Sequence, residues 1–235
     1  MRTWLLHHLD PPMAGHALPV LLQAGLPVAE CRVAAGEELP GLDDVAALVV
    51  FGGDESARDL EALPYLAAEC DLLERAVQAE IPILGLCLGA QLLARSQGAP
   101  VQRMARSRLD WACPRPLDAA ASDPLFAHAP PVPAPHWHED AFALPPGAVE
   151  LQERSGSGVE AFRVGACAWG VQYHPEVDAA MLDRWYATYP TSVTEAGTTE
   201  EAARREDALH LPAQKLAAEH LFSAFADVVK RLEQT

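Results

Sequence analysis

One cysteine in this sequence has the neighbours that covalent chemistry needs. Cys87 lies in Gly85-Leu-Cys-Leu-Gly-Ala-Gln91, a cysteine version of the G-x-S-x-G elbow, in which a sharp strand-to-helix turn projects the nucleophile outward. Glycines two positions to either side let strand and helix approach where a Cβ would clash. At the start of a helix the sulfur faces free N–H groups and the positive end of the dipole, which favour thiolate. The Leu88 N–H is then one donor for a developing oxyanion. Cys31, Cys70, Cys113 and Cys167 lack this context and read as structural. Their wide spacing, without a C-x-x-C pair, argues against a disulfide framework or a zinc site, so reduced thiols and no metal are expected.

A thiolate nucleophile needs a base, and His174 in Val171-Gln-Tyr-His-Pro-Glu176 follows a strand-like run. With Pro175 keeping the tripeptide extended, Glu176 shares a face with His174. Its carboxylate can then hold one imidazole nitrogen while the other faces the sulfur. Cys87, His174 and Glu176 thus read as nucleophile, acid/base and orienter.

The elements that must position these groups alternate in type. Strand-like runs at Thr3 to Leu9, Val28 to Val33, Ala46 to Phe51 and Ile81 to Leu86 are separated by helical patterns at Ala14 to Ala24 and Pro64 to Ala79. A helix from Leu88 to about Ser96 follows Cys87 directly. The continuous apolar runs are those of parallel strands buried on both faces, and the rhythm is that of a doubly wound α/β sheet. Prolines at 114, 116, 124, 130, 131, 133 and 135 interrupt regular structure. Further strands are expected at Val149 to Gln152, Glu160 to Val164 and Ala168 to Tyr173, joined by tight connections at Gly156, Gly158 and Gly165, making the sheet mixed. Beyond Pro175 the chain reads as helical, broken near Tyr189-Pro190 and Gly197, with an acidic, solvated face from Asp178 to Asp207. The last helix carries a stripe of Leu221, Phe222, Phe225, Val228, Val229 and Leu232 suited to docking on the domain.

With 235 residues and a net charge of −16, the chain is large enough for one sizeable core, and its field repels nucleic acid. No apolar run suits a membrane span or a secretory leader, which points to the cytoplasm. No GxxxxGK[ST] phosphate loop occurs, and no further domain is expected that could activate an acceptor with ATP.

Together these segments resemble the class I (triad-type) glutamine amidotransferases, above all stand-alone members similar to the amidotransferase domain of GMP synthase. Gly85 to Gln91 resembles their nucleophile segment, Gln172-Tyr-His-Pro-Glu176 their His-x-Glu segment and Val50-Phe-Gly-Gly-Asp-Glu-Ser56 their oxyanion loop. His136-Trp-His-Glu-Asp140 followed by Leu144-Pro-Pro-Gly147 resembles a fourth segment of the GMP-synthase-like branch. The resemblance implies a flavodoxin-like, doubly wound, mostly parallel sheet with helices on both faces and added antiparallel strands. It implies one domain over residues 1–235 with a helical extension from about 178. Gly53 and Leu88 would supply the oxyanion-hole N–H groups, Gly52 and Gln91 would hold the amino-acid head, and His138 and Asp140 would support the pocket. The implied reaction is hydrolysis of the glutamine side-chain amide through a γ-glutamyl thioester, without a cofactor, with ammonia passed to a separate synthase subunit. A γ-glutamyl amine or peptide hydrolase with the same triad is the alternative.

The sequence departs from the family pattern at two places. Asp54 stands where proline usually follows the two glycines, and Arg108-Leu-Asp-Trp111 stands where relatives carry Glu-Ile-Gly-Trp. Asp54 and Asp110 are the residues that argue for a further alternative, a catalytically silent binding or regulatory relative.

Overall fold

The computed structural model of the chain describes residues 1–154 and 158–234. Its main sheet has the order β2 (Val28–Arg32), β1 (Arg2–His7), β3 (Val45–Val50), β4 (Ile83–Leu86), β10 (Ala168–Val171), β9 (Gly158–Val164), β8 (Val149–Arg154) and β6 (Arg115–Pro116). β2 to β10 in that order pair in parallel, and β9, β8 and β6 are added antiparallel. The parallel part has the strand order of a flavodoxin-like sheet.

The central strands β3, β4 and β10 are buried along their whole length, which is why they read as unbroken apolar runs. Successive side chains face opposite layers. Leu5, Val49 and Leu86 pack beneath α1 (Ala17–Gln23) and α6 (Glu200–Leu232), whereas Leu6, Leu48 and Val50 pack beneath α2 (Pro64–Gln78) and α3 (Leu88–Ser96). α1 starts three residues later than its pattern predicts. Gly15 has a φ of +45° and the His16 N–H is spent on the Glu176 carbonyl at 2.8 Å, so residues 14–16 form an anchor, not a helical turn. Gly165, with φ +56°, lies between β9 and β10, and Gly158, with φ +103°, opens β9. Gly156 lies outside the described residues.

Three strands were not foreseen: the short β6, which lies among the prolines expected to interrupt regular structure, and two longer ones. β5 (Val101–Ala112) and β7 (Ala134–Phe142) form a separate antiparallel ribbon. In β7 the buried positions include His136, His138 and Asp140 while Trp137, Glu139 and Ala141 are half-buried. The polar residues face inward, so the usual hydrophobic alternation is inverted and carries no strand signal.

The tail breaks where expected, giving α4 (Ala179–Thr188), α5 (Pro190–Glu195) and α6. Asp178 caps α4 by accepting from the Met181 N–H at 2.9 Å, and Thr199 caps α6 by accepting from Ala202 at 3.2 Å. The acidic stretch is not wholly a solvated face: Met181, Leu182, Trp185, Tyr186, Val193 and Ala203 are buried in a third cluster against Trp111 and Trp137 of the ribbon. Acidic residues there alternate with a helical apolar stripe, and the ribbon supplies the surface that stripe covers. In α6, Leu221, Phe222, Phe225, Val228 and Val229 are buried, but Leu232 is 42% exposed because the helix is ending beyond the sheet. Phe225 packs edge-on against Trp169, with ring centroids 6.4 Å apart. Phe225→Ala should therefore cost about 3–5 kcal/mol in urea unfolding, while Leu232→Ala should change stability by about 0.5 kcal/mol or less.

Candidate active site

The sequence-predicted residues converge at the carboxyl ends of β3, β4 and β10, where open α/β sheets bind ligands, with His138 and Asp140 brought there by β7. Cys87 joins β4 to α3 with φ +50° and ψ −105°. Such a backbone costs about 1–3 kcal/mol unless the surroundings impose it. Here they do: the Cys87 N–H donates to the Val171 carbonyl at 2.9 Å, and the Cys87 carbonyl accepts from Gln91 N–H at 3.0 Å. A Cβ on Gly89 would stand 2.1 Å from the Val50 carbonyl oxygen, and one on Gly85 would stand 2.6 Å from Gly89 backbone atoms. No side chain fits either position.

His174 lies just beyond β10, and its Nδ1 is 2.8 Å from Glu176 Oε1. The expected extended tripeptide is instead a turn, with the Val177 N–H directed at the His174 carbonyl at 3.4 Å. Pro175 presets a turn as readily as an extended segment, and the carboxylate reaches the imidazole across it. Three elements hold this turn: the His174 N–H donates to the Pro135 carbonyl at 2.9 Å, Gln214 of α6 donates to the Pro175 carbonyl at 2.6 Å, and His16 donates to Glu176. The imidazole face meets Trp185 edge-on, with centroids 4.9 Å apart.

Sulfur and imidazole meet at the Trp137 carbonyl oxygen, which is 3.3 Å from His174 Nε2 and 4.0 Å from Cys87 Sγ. Gly52 closes the other side: a Cβ there would lie 2.8 Å from His174 Cε1 and 3.5 Å from Cys87 Cβ. Burial opposes charge on His174, but the Cys87 sulfur and the Glu176 carboxylate outweigh it and hold the imidazole pKa well above its ordinary value. With a carboxylate on Nδ1, the ring can carry a second proton on Nε2, the nitrogen facing the sulfur.

These groups line a cavity of about 320 Å³. Gly53 and Leu88 are neighbours in its wall, the Leu88 Cδ2 lying 3.0 Å from where a Gly53 Cβ would stand. Gln91 is buried and donates to the Asp140 carbonyl at 3.2 Å, the same oxygen that lies 2.9 Å from His138 Nδ1. Burial lowers the His138 pKa to about 4, so that imidazole is neutral and Nδ1 carries its proton toward the carbonyl. The Asp140 carboxylate is held by Ser56 Oγ and by Arg58 Nε at 3.1 Å. Among the described residues, no group of three or more His, Cys, Asp or Glu could hold a metal ion, and no helix is long and apolar enough to cross a membrane.

Sequence reasoning missed three contributors. Gln172 Nε2 is 3.8 Å from Cys87 Sγ and donates to it; its place two residues before His174 was the available signal. Trp137, Trp185 and Tyr189 wall the cavity, and nothing in their spacing announces it. Behind Gly53, buried His8 has Phe51 O 3.2 Å from Nδ1 and Glu69 Oε2 2.8 Å from Nε2. Two acceptors require two ring protons, and although burial resists it, Glu69 raises the His8 pKa.

The two departures behave differently. Asp54 lines the cavity and accepts from the Tyr189 hydroxyl at 2.7 Å. Asp110 forms a forked ion pair with Arg154 at 3.0 and 2.8 Å, and Arg108 reaches buried Glu160 at 3.3 Å. Asp110 lines a separate cavity between the ribbon, α4 and α6, not the one containing Cys87, so of the two departures Asp54 alone stands in the wall around Cys87.

The family model "Glutamine amidotransferase class-I" matches residues 21–186. The chain is 34% identical to the glutamine amidotransferase-like protein YfeJ of Salmonella typhimurium over 75% of this chain and 76% of that one. It is 31% identical to GMP synthase of Aeropyrum pernix over 65% of this chain but 28% of that longer one. A glutamine amidotransferase structure from Thermotoga maritima superposes with a TM-score of 0.81 at 25% identity, covering 97% of this chain and 98% of that one. One from Methylobacillus flagellatus, at 23% identity, shares the fold with a TM-score of 0.87 over 96% and 94% of the two chains. The chain belongs to the class I glutamine amidotransferases.

Because the sulfur helps to hold the second proton on His174, Cys87→Ala should lower the imidazole pKa while Glu176 still supports it. An NMR titration of the ring checks this. An unchanged His174 pKa would show that the sulfur and the imidazole are not coupled.

Proposed function

We propose that the chain hydrolyses the side-chain amide of glutamine to glutamate and ammonia, with Cys87, His174 and Glu176 as the catalytic triad. The observation that carries this reading is the meeting of Cys87 and His174 at one backbone carbonyl, with Glu176 bound to the far side of the ring.

In this reading the Cys87 thiolate, solvated by the Gln172 amide, attacks the amide carbon. A C–S bond forms, and the oxygen becomes an oxyanion held by the Gly53 and Leu88 N–H groups. His174 delivers its Nε2 proton to the departing nitrogen as the C–N bond breaks, leaving a γ-glutamyl thioester. Water then gives its proton back to His174 and attacks the thioester; the C–S bond breaks and glutamate leaves. Gly52 and Gln91 hold the amino-acid head, and His138 and Asp140 fix Gln91. No step calls for a cofactor. We read residues 1–235 as one domain with a helical extension from about 178, acting in the cytoplasm. Five free cysteines are in keeping with a reducing compartment. A separate synthase subunit is the partner that would consume the ammonia.

The test is release of glutamate and ammonia from glutamine by the purified protein. Cys87→Ser should lower kcat by about a thousandfold or more, and a γ-glutamyl-directed diazoketone should label wild-type Cys87 stoichiometrically by intact mass. A protein that neither turns over a γ-glutamyl amide nor takes up the label is the silent relative, and the hydrolase reading then fails.

A further inference from the structure

Resting on the hydrolase reading above, we propose that Asp54 and the aromatic wall beside His174 form a subsite for a cationic leaving group, so that γ-glutamyl amides of diamines are better substrates than glutamine's plain amide or a neutral alkylamide. The direction of departure follows from the proton. The leaving nitrogen must lie at His174 Nε2 to receive it, and the groups around that nitrogen are Trp185, packed on the ring, and Trp137, whose carbonyl touches Nε2. A substituent on the leaving nitrogen therefore runs along Trp137, Trp185 and Tyr189. Tyr189 meets Trp137 edge-on at 6.3 Å and holds Asp54 at the same rim.

Charge at this rim is unbalanced. Of the carboxylates lining the cavity, Glu139 is paired with Arg103 and Asp140 with Arg58, while Asp54 and Glu55 are met by neutral phenols, those of Tyr189 and Tyr65, each at 2.7 Å. An uncompensated carboxylate two positions past Gly52 opposes the oxyanion that the glycine loop would stabilise. An ammonium on the leaving group would neutralise it, and three aromatic rings beside a carboxylate are the surroundings in which ammonium groups bind. A cavity of about 320 Å³ is within the range that takes ligands of drug-like size and leaves room for a substituent beyond the γ-glutamyl unit. The net charge of −16 draws cations toward the protein.

The reaction balances without a further reagent: the γ-glutamyl C–N bond is replaced by C–S, the amine leaves with the His174 proton, and water completes hydrolysis to glutamate. The test compares kcat/KM for γ-glutamyl-1,4-diaminobutane, its uncharged near-isostere γ-glutamyl-n-pentylamide, and glutamine, with Cys87→Ser as blank. The expected result is a cationic-to-neutral ratio of about tenfold or more, reduced to about threefold or less in Asp54→Asn and reduced in part in Tyr189→Phe. Equal rates on the cationic and neutral amides, or a ratio unchanged by Asp54→Asn, would overturn the subsite while leaving the hydrolase reading in place. No turnover of any of the three, with Cys87 unlabelled by the diazoketone, would overturn both.

Discussion

The site depends on one strained residue. Cys87 occupies a left-handed backbone conformation that a non-glycine residue adopts at a cost, and it does so because β4 must hand the chain to α3 with almost no space between them. The Val171 carbonyl fixes its N–H from the neighbouring strand, and Val50 closes over Gly89. Core packing supplies the energy that holds the turn: β4 and β10 are buried on both faces between two helical layers. The sulfur is thereby presented at the end of the sheet without a flexible loop having to order itself around it.

The imidazole is held by a different device. It stands on a turn past the end of β10, and that turn is tied by its own backbone to the ribbon, to the entry of α1 and to α6. Four elements from distant parts of the chain thus set the orientation of one ring. The charges follow the same logic: burial would keep His174 neutral, and only the sulfur on one side and Glu176 on the other make a second proton favourable. His138, buried to a similar degree but facing a carbonyl, is driven the other way. Two histidines lining the same cavity so differ in protonation because their partners differ.

The helical tail turns a sheet edge into a cavity. α4 and α5 bring Trp185, Tyr189 and Ser192 over the carboxyl ends of the strands, and the Trp137 indole N–H donates to Ser192 Oγ at 2.8 Å. Excluding water from this space strengthens the electrostatic contacts within it. Asp54 becomes meaningful only in that setting, since its partner Tyr189 comes from the tail.

Local pattern was enough for much of this. The buried strands, the breaks at Tyr189-Pro190 and Gly197, and the family resemblance that named Cys87, His174 and Glu176 were legible in the residues, because apolar periodicity and fixed motif spacing are properties of the chain alone. The β5–β7 ribbon was not, because β7 turns His136, His138 and Asp140 inward and so inverts its signal, while β5 buries little beyond Val101. Nor was the turn at Pro175, which a proline permits as readily as extension. The contacts of Gln172 with the sulfur, of His8 with Glu69 and of Asp54 with Tyr189 join residues whose sequence separations follow no period. Only folding brings them together, since the choice of which side chains share a wall is made by the packing of whole elements and not by any one of them.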